Sequence, residues 1–316
     1  MKFRIVLAVA VLAIALQANA CDVCATHVAL TGKETAGATT LSLFQQYSEY
    51  GRPSDGGHRF KSSSTQIAVA HGLTERWALQ VGVPLLYRKL DDQSEQGVGD
   101  ATAIALYRAF DRQREADRVI VDVYAGIKMP TGDTDPLKGE RSHHHGGGHG
   151  AHHAGHHGTS SHGHDGHGAV HGGHHVALGS GSWDFLFGGK AVIKHGLNLV
   201  TMESQYNLRT EGDYGFRHGD EWVWRLGAHR YLLLDMDHSL TLGAEVSGEW
   251  RDENKVDGVA RSGSYKTGTY IGPVARYTRS DRLSLGLGVD IPVTDRNKGT
   301  GGAADYRIRG NAAWSF

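Results

Sequence analysis

The residues best suited to chemistry lie in one tract. Between His143 and His175 the chain carries fourteen histidines in thirty-three residues, namely His143, His144, His145, His149, His152, His153, His156, His157, His162, His164, His167, His171, His174 and His175. Neutral imidazole is a ligand for Zn, Cu and Ni, and a glycine-rich backbone lets several rings converge on one ion without strain. A loosely held transition metal ion (Zn, Cu or Ni) is therefore the expected cofactor, bound through ligand density and not in a preformed cage. Copper(II) outcompetes the others at almost any imidazole site, so the residues do not name the metal. The rest of the tract is mostly Gly, Ala and Ser, with too little apolar surface to offset the entropy of ordering, so a flexible loop is expected. A low-complexity expansion tolerated on a surface is the bland alternative. Proton buffering and adhesion are further ones.

Cys21, Cys24 and His27 form a second, smaller group. In an oxidising compartment the two cysteines make a surface disulfide. The alternative is a metal site, although three ligands fall short of the usual four for zinc. A thioredoxin-like role is weaker still, because no βαβ pattern follows.

The N-terminus indicates the compartment. Lys2 and Arg4 precede an apolar run that ends at Ala18-Asn19-Ala20, a pattern that reads as a secretory signal peptide over residues 1–20. Cys21 leaves lipidation as an alternative to simple cleavage, but Ala18 stands where a lipobox usually has Leu. The run is too short for a transmembrane helix, and no later stretch approaches the ~18 uninterrupted apolar residues that one needs. With 44 Gly, a formal net charge of −1 and no basic stripe, the composition favours β structure and argues against nucleic acid as a partner.

Beyond about residue 38 the hydrophobic pattern has a period of two. Leu240, Leu242, Ala244, Val246 and Trp250 alternate with Thr241, Glu245, Ser247 and Glu249, and comparable runs occur at Trp77–Leu85 and Leu283–Ile291. Strands are expected near 39–50, 61–71, 75–88, 100–110, 118–129, 181–194, 196–209, 219–233, 238–252, 264–278, 281–294 and 303–316. These are long enough for a tilted crossing of a bilayer. Short connections alternate with long ones, as in outer-membrane barrels with short periplasmic turns and long external loops. The expected fold class is all-β, a transmembrane antiparallel up-and-down β-barrel of about 12 strands in the bacterial outer membrane, with both termini in the periplasm. Residues 21–38 form a periplasmic N-terminal segment containing Cys-x-x-Cys. Residues 39–316 form the barrel, with 134–177 as an external His-rich loop.

This orientation places Tyr50, Tyr87, Trp183, Tyr206, Trp222, Trp224, Trp250 and Tyr265 at outer strand ends. Trp77, Tyr107, Phe110, Tyr231, Tyr277, Trp314 and Phe316 fall at inner ones, giving the two aromatic girdles of a membrane barrel. The alternating last strand, ending in Phe316, resembles the signature read by the barrel-insertion machinery, an expected partner beside outer-membrane lipid and metal ions. Pro84, Pro130 and Pro292 fall toward outer strand ends, whereas Pro273 lies in mid-strand, where a missing N–H costs a ladder bond.

Gly126-Ile-Lys-Met-Pro-Thr-Gly-Asp133 and Leu178-Gly-Ser-Gly-Ser-Trp-Asp184, with Gly82-Val-Pro-Leu85 and Gly97-Val-Gly-Asp100, resemble motifs of a transporter-like outer-membrane family described as the MetA pathway of phenol degradation. The resemblance covers most of the mature chain and implies a barrel, with uptake of small hydrophobic or aromatic compounds. The histidine tract is inserted between the two longer motifs.

Strand parity turns Gln80, Asp122, Lys128, Arg225, Glu245, Glu249, Arg251, Asp290, Arg307 and Arg309 into the lumen. Mixed charge there suits either a narrow or gated polar path or a plugging ion-pair network. The leading expectation is a transporter or porin-like barrel whose external histidines gather metal. A non-conducting surface protein that buffers or senses metal is the alternative. Ser, His and acidic residues are present but unspaced for a nucleophile motif, so no enzyme is expected.

Protons compete with metal for imidazole, so Zn, Cu or Ni held at pH 7.5 is released by about pH 5. Metal stoichiometry of the purified protein with and without residues 143–175 measures this. Equal stoichiometry in the two proteins at pH 7.5 would assign the metal elsewhere.

Overall fold

Alternating apolar and polar residues give each strand one oily and one polar face, and a sheet of such strands hides its polar face by closing on itself. In lipid, closure also leaves no unpaired edge. The computed structural model describes residues 36–51, 59–138, 176–280, 282–295 and 304–316. The expected signal peptide, the Cys21/Cys24/His27 group and the histidine tract lie outside the described residues.

Twelve strands build the barrel: β1 (Thr39–Tyr50), β2 (Phe60–Gly72), β3 (Trp77–Leu90), β5 (Ala101–Arg114), β6 (Asp117–Met129), β7 (Asp184–His195), β8 (Asn198–Leu208), β10 (Glu221–Leu234), β11 (His238–Arg251), β14 (Lys266–Arg279), β15 (Leu283–Asp295) and β16 (Tyr306–Ser315). Four shorter strands, β4 (Gln93–Val98), β9 (Phe216–Arg217), β12 (Lys255–Val256) and β13 (Val259–Ala260), belong to the long loops. Neighbours in the chain pair antiparallel all the way round. The ring closes where β1 meets β16, in register from Thr40 opposite Ser315 to Glu49 opposite Tyr306.

One end of the barrel carries the tight turns. Glu115 and Gly196 open two of them at positive φ, 46° and 57°. In a third, Asp235 accepts the backbone N–H groups of His238 (2.6 Å) and Asp237 (2.9 Å). Those donors hold its carboxyl below the ordinary range. The long connections lie at the other end. One of them, expected as a loop over 89–99, is instead a hairpin extension in which β4 pairs with the upper half of β3. Pro84 sits where β3 changes partner from β5 to β4, which accounts for it. The mid-strand Pro273 also has a place. It pairs with Ala244 on one side, while the ladder to β15 is interrupted between Ile271 and Val274.

The outward face is apolar. Leu41, Val69, Val81, Leu226, Leu242, Leu285 and Ile291 all project from it, and Trp183, Trp222, Trp250, Trp77 and Trp314 lie on it near the strand ends. Tyr50 departs from the expected outer girdle: it is buried inside the barrel with Phe60, Leu90, Val176 and Tyr270, because β1 turns even-numbered residues inward.

Leu242→Arg and Leu285→Arg put a charge on the outward band, at a cost of ~2–4 kcal/mol near a bilayer midplane. The inward Thr241→Ser should be close to neutral. Denaturant unfolding in lipid vesicles measures all three, and equal destabilisation would contradict the assignment of faces.

Candidate functional site

The residues expected in the lumen are found there. Gln80, Asp122, Lys128, Glu245, Glu249, Asp290 and Arg309 are buried, and Arg225, Arg251 and Arg307 are half-buried on the same face. Parity alone puts them inside; their pairing follows from strand register. Glu245 is the centre of a belt across the middle of the barrel. It accepts Arg276 Nη2 at 2.5 Å and Arg309 Nη2 at 2.9 Å, with Arg225 Nε at 3.5 Å. Arg309 also clasps Asp290 with Nε and Nη2, each at 2.7 Å. His229 joins through Thr201 at 3.1 Å and faces Glu245 at 3.8 Å. The three arginines face the three acids Glu245, Asp290 and Glu203, so the charges of the belt balance.

Toward the tight-turn end this belt roofs a cavity of about 640 Å³. Its walls include Lys190, Glu203, Thr278 and Asn311, and Asp235 and Arg282 stand at its mouth. The long-loop end is built differently. Here the motifs that carry the family resemblance meet: Lys128 Nζ contacts Asp100 at 2.6 Å and Asp184 at 2.9 Å, and also donates to Ser180 Oγ. Asp100 accepts the N–H of Gly132 and of Ser180, both at 3.0 Å. The backbones of Gly132 and Gly179 touch so closely that a Cβ on either would lie under 3.0 Å from the backbone of the facing segment. Arg209 completes the knot, bridging Asp184 and Glu221 at 3.0 Å each. Asp100 and Asp184 stand in the quoted motifs, and Arg209 and Glu221 carry inward parity. Nothing in the sequence says that these four converge.

The same knot holds both roots of the histidine loop. Leu137 on one side and Ala177 on the other pack against Phe216 and Val256 under the small β9–β12–β13 sheet, and all four are buried. Val176 joins Tyr50 and Tyr270 deeper in the lumen. Leu178 and Gly179 donate to the Asp133 carbonyl, tying root to root. Among the described residues no three His, Cys, Asp or Glu side chains are placed to hold a metal. All fourteen expected ligands lie outside the described residues.

No family model and no curated protein matches the chain. Among solved structures, an outer membrane channel from Pseudomonas putida F1 aligns over 94% of this chain and 100% of its own, at 18% identity and a TM-score of 0.56. That likeness is one of fold, an outer-membrane barrel. The β domain of the Bordetella autotransporter BrkA (11% identity, 89% and 100% of the two chains, TM-score 0.46) and the porin NanC (10%, 87% and 98%, 0.39) are more distant. The phenol-degradation resemblance gains no support from these comparisons.

Breaking a buried ion pair from one side costs ~3–5 kcal/mol, because the partner charge is left uncompensated. Glu245→Leu, which strands Arg309, Arg276 and Arg225, should therefore lower the urea midpoint clearly. Glu95→Gln on the exposed β4 should not. An unchanged midpoint for Glu245→Leu would mean the belt is hydrated and its ion pairs carry little.

Proposed function

We propose that this protein is a narrow, gated outer-membrane channel for small polar solutes, and that its histidine tract binds transition metal beside the gate. The observation that carries this reading is the position of the tract's roots. A tolerated expansion would hang from the rim. Leu137 and Val176–Leu178 are instead buried within the long-loop end, over a charged lumen. A load on the tract therefore acts on the segments that fill the mouth. The cavity beneath, open at the tight-turn end and lined by charges of both signs, suits a hydrated path for polar solutes more than for apolar ones.

A second reading, a non-conducting barrel that buffers metal, is favoured by the knot and belt, which together leave little free space between cavity and mouth. Ion flux separates the two. In planar bilayers the channel reading expects discrete conductance that changes severalfold on adding micromolar Zn or Cu, and a loss of that response after deletion of residues 143–175. Metal binding with no conductance in either protein would leave the buffer reading standing.

A further inference from the structure

Arg88 is a lumenal arginine with no acidic group within ion-pair distance among the described residues. It projects inward from β3 and is 2% exposed. Nη1 donates to the Ala177 carbonyl, whereas Nε and Nη2 have no hydrogen-bond partner. Its neighbours along the same rung are Ser62 on β2, Ser48 on β1 and Arg307 on β16, and on the other side Glu95 of β4, which is exposed and forms no ion pair with it. The hydroxyls of Ser48 and Ser62 are likewise buried and unpartnered. One rung toward the long-loop end, Phe60, Leu90 and Val176 with the ring of Tyr50 form a mostly apolar roof, and the Tyr50 hydroxyl accepts from Lys266 at 3.3 Å. Nearby, Arg307 and Lys266 both contact the carboxylate of Glu249, at 2.5 and 3.2 Å. A desolvated guanidinium beside two idle hydroxyls is costly unless an acceptor comes to it.

We infer that Arg88, with Ser48 and Ser62, is a docking point for small monocarboxylates in the lumen. The molecule itself shows which acceptor fits. Nε and Nη2 form one side of the guanidinium fork, and where this protein fills both nitrogens of that side from one residue, as in Arg118 and Arg309, the acceptor is a carboxylate. In Arg118 the pair holds Asp111 at 3.0 and 2.7 Å, and in Arg309 it holds Asp290 at 2.7 Å on both nitrogens. The apolar roof then suits a short hydrocarbon tail. A phosphate would turn further oxygens toward Phe60 and Leu90, which donate to none of them. In this structure the fork is covered by its neighbours and by the segment at Val176–Ala177 that it helps to hold. A carboxylate gains it only when that segment lifts, so binding favours the lifted state.

The inference deepens the channel reading, and its test uses binding so that the two fail separately. Equilibrium dialysis of the full-length, refolded barrel against labelled butyrate should show saturable binding of one butyrate per chain. Arg88→Gln should weaken it at least tenfold, and Arg88→Lys, a point charge without the fork, should recover only part. Inorganic phosphate at equal concentration should displace little butyrate. As an independent readout, Val176→Cys should react with a water-soluble maleimide severalfold faster when butyrate is present. Absence of saturable butyrate binding to the unmutated protein, or equal binding by a correctly folded Arg88→Gln barrel, overturns the proposal. Phosphate binding tighter than butyrate overturns the carboxylate assignment. Conductance without butyrate binding would leave the channel and remove the site; binding without conductance would do the reverse.

Discussion

A backbone crossing hydrocarbon must satisfy every N–H and C=O within the protein, since no water is present to do it. The rest of this structure depends on that constraint. It requires the β1–β16 seam to close in full register, because each unpaired rung would leave donors and acceptors in lipid. It also restricts proline to places where the ladder is already broken or changing partner, as at Pro84 and Pro273. Closure then forces the chemistry inward, because alternation sends every second side chain into a lumen too narrow to hydrate them all.

The lumen meets this with paired charge. Buried ion pairs add little net stability over an apolar filling, but they are expensive to break singly. A belt of the Glu245–Arg309–Asp290 kind therefore acts more as a specification of geometry than as a source of stability. It fixes the partners of Arg225, Arg276 and Arg309, while Arg88, on a distant rung, has no ion pair. The division of the interior into an open cavity at the tight-turn end and a packed knot at the long-loop end has the same origin. At the knot, loop backbone with its own polar groups must be buried, and Asp100 takes up the N–H groups of Gly132 and Ser180.

The knot also gives the histidine tract a mechanical context. Its roots are joined by the Asp133 carbonyl and pinned by Arg88 at Ala177. Packed elements of this kind have discrete arrangements and do not deform continuously, which is the property a gate requires. The outer rungs of β1, β2 and β3 thus combine a mostly apolar roof, a buried cation without an ion pair and the base of a loop rich in potential metal ligands.

Much of the fold was legible in the sequence. Each of the twelve barrel strands lies within a few residues of where period-two alternation put it, and all ten lumenal residues named from parity face inward. Parity is a local property, set by the pleat, so it survives without knowledge of neighbours. Its failures are equally physical. Tyr50 was assigned to the girdle from its residue type, although its parity is inward, and the β4 hairpin was hidden because a strand outside the membrane needs no apolar face. Neither the convergence of Asp100, Lys128, Asp184, Arg209 and Glu221 nor the isolation of Arg88 could be read, because each depends on which rungs of distant strands coincide. Residues 80 apart, such as Asp100 and Ser180, meet only once β5, β6 and β7 have paired in register. The sequence by itself determined which side chains face lipid and which face the lumen. Tertiary structure alone decided which of the lumenal charges have partners, because register and closure, which no local pattern encodes, place them.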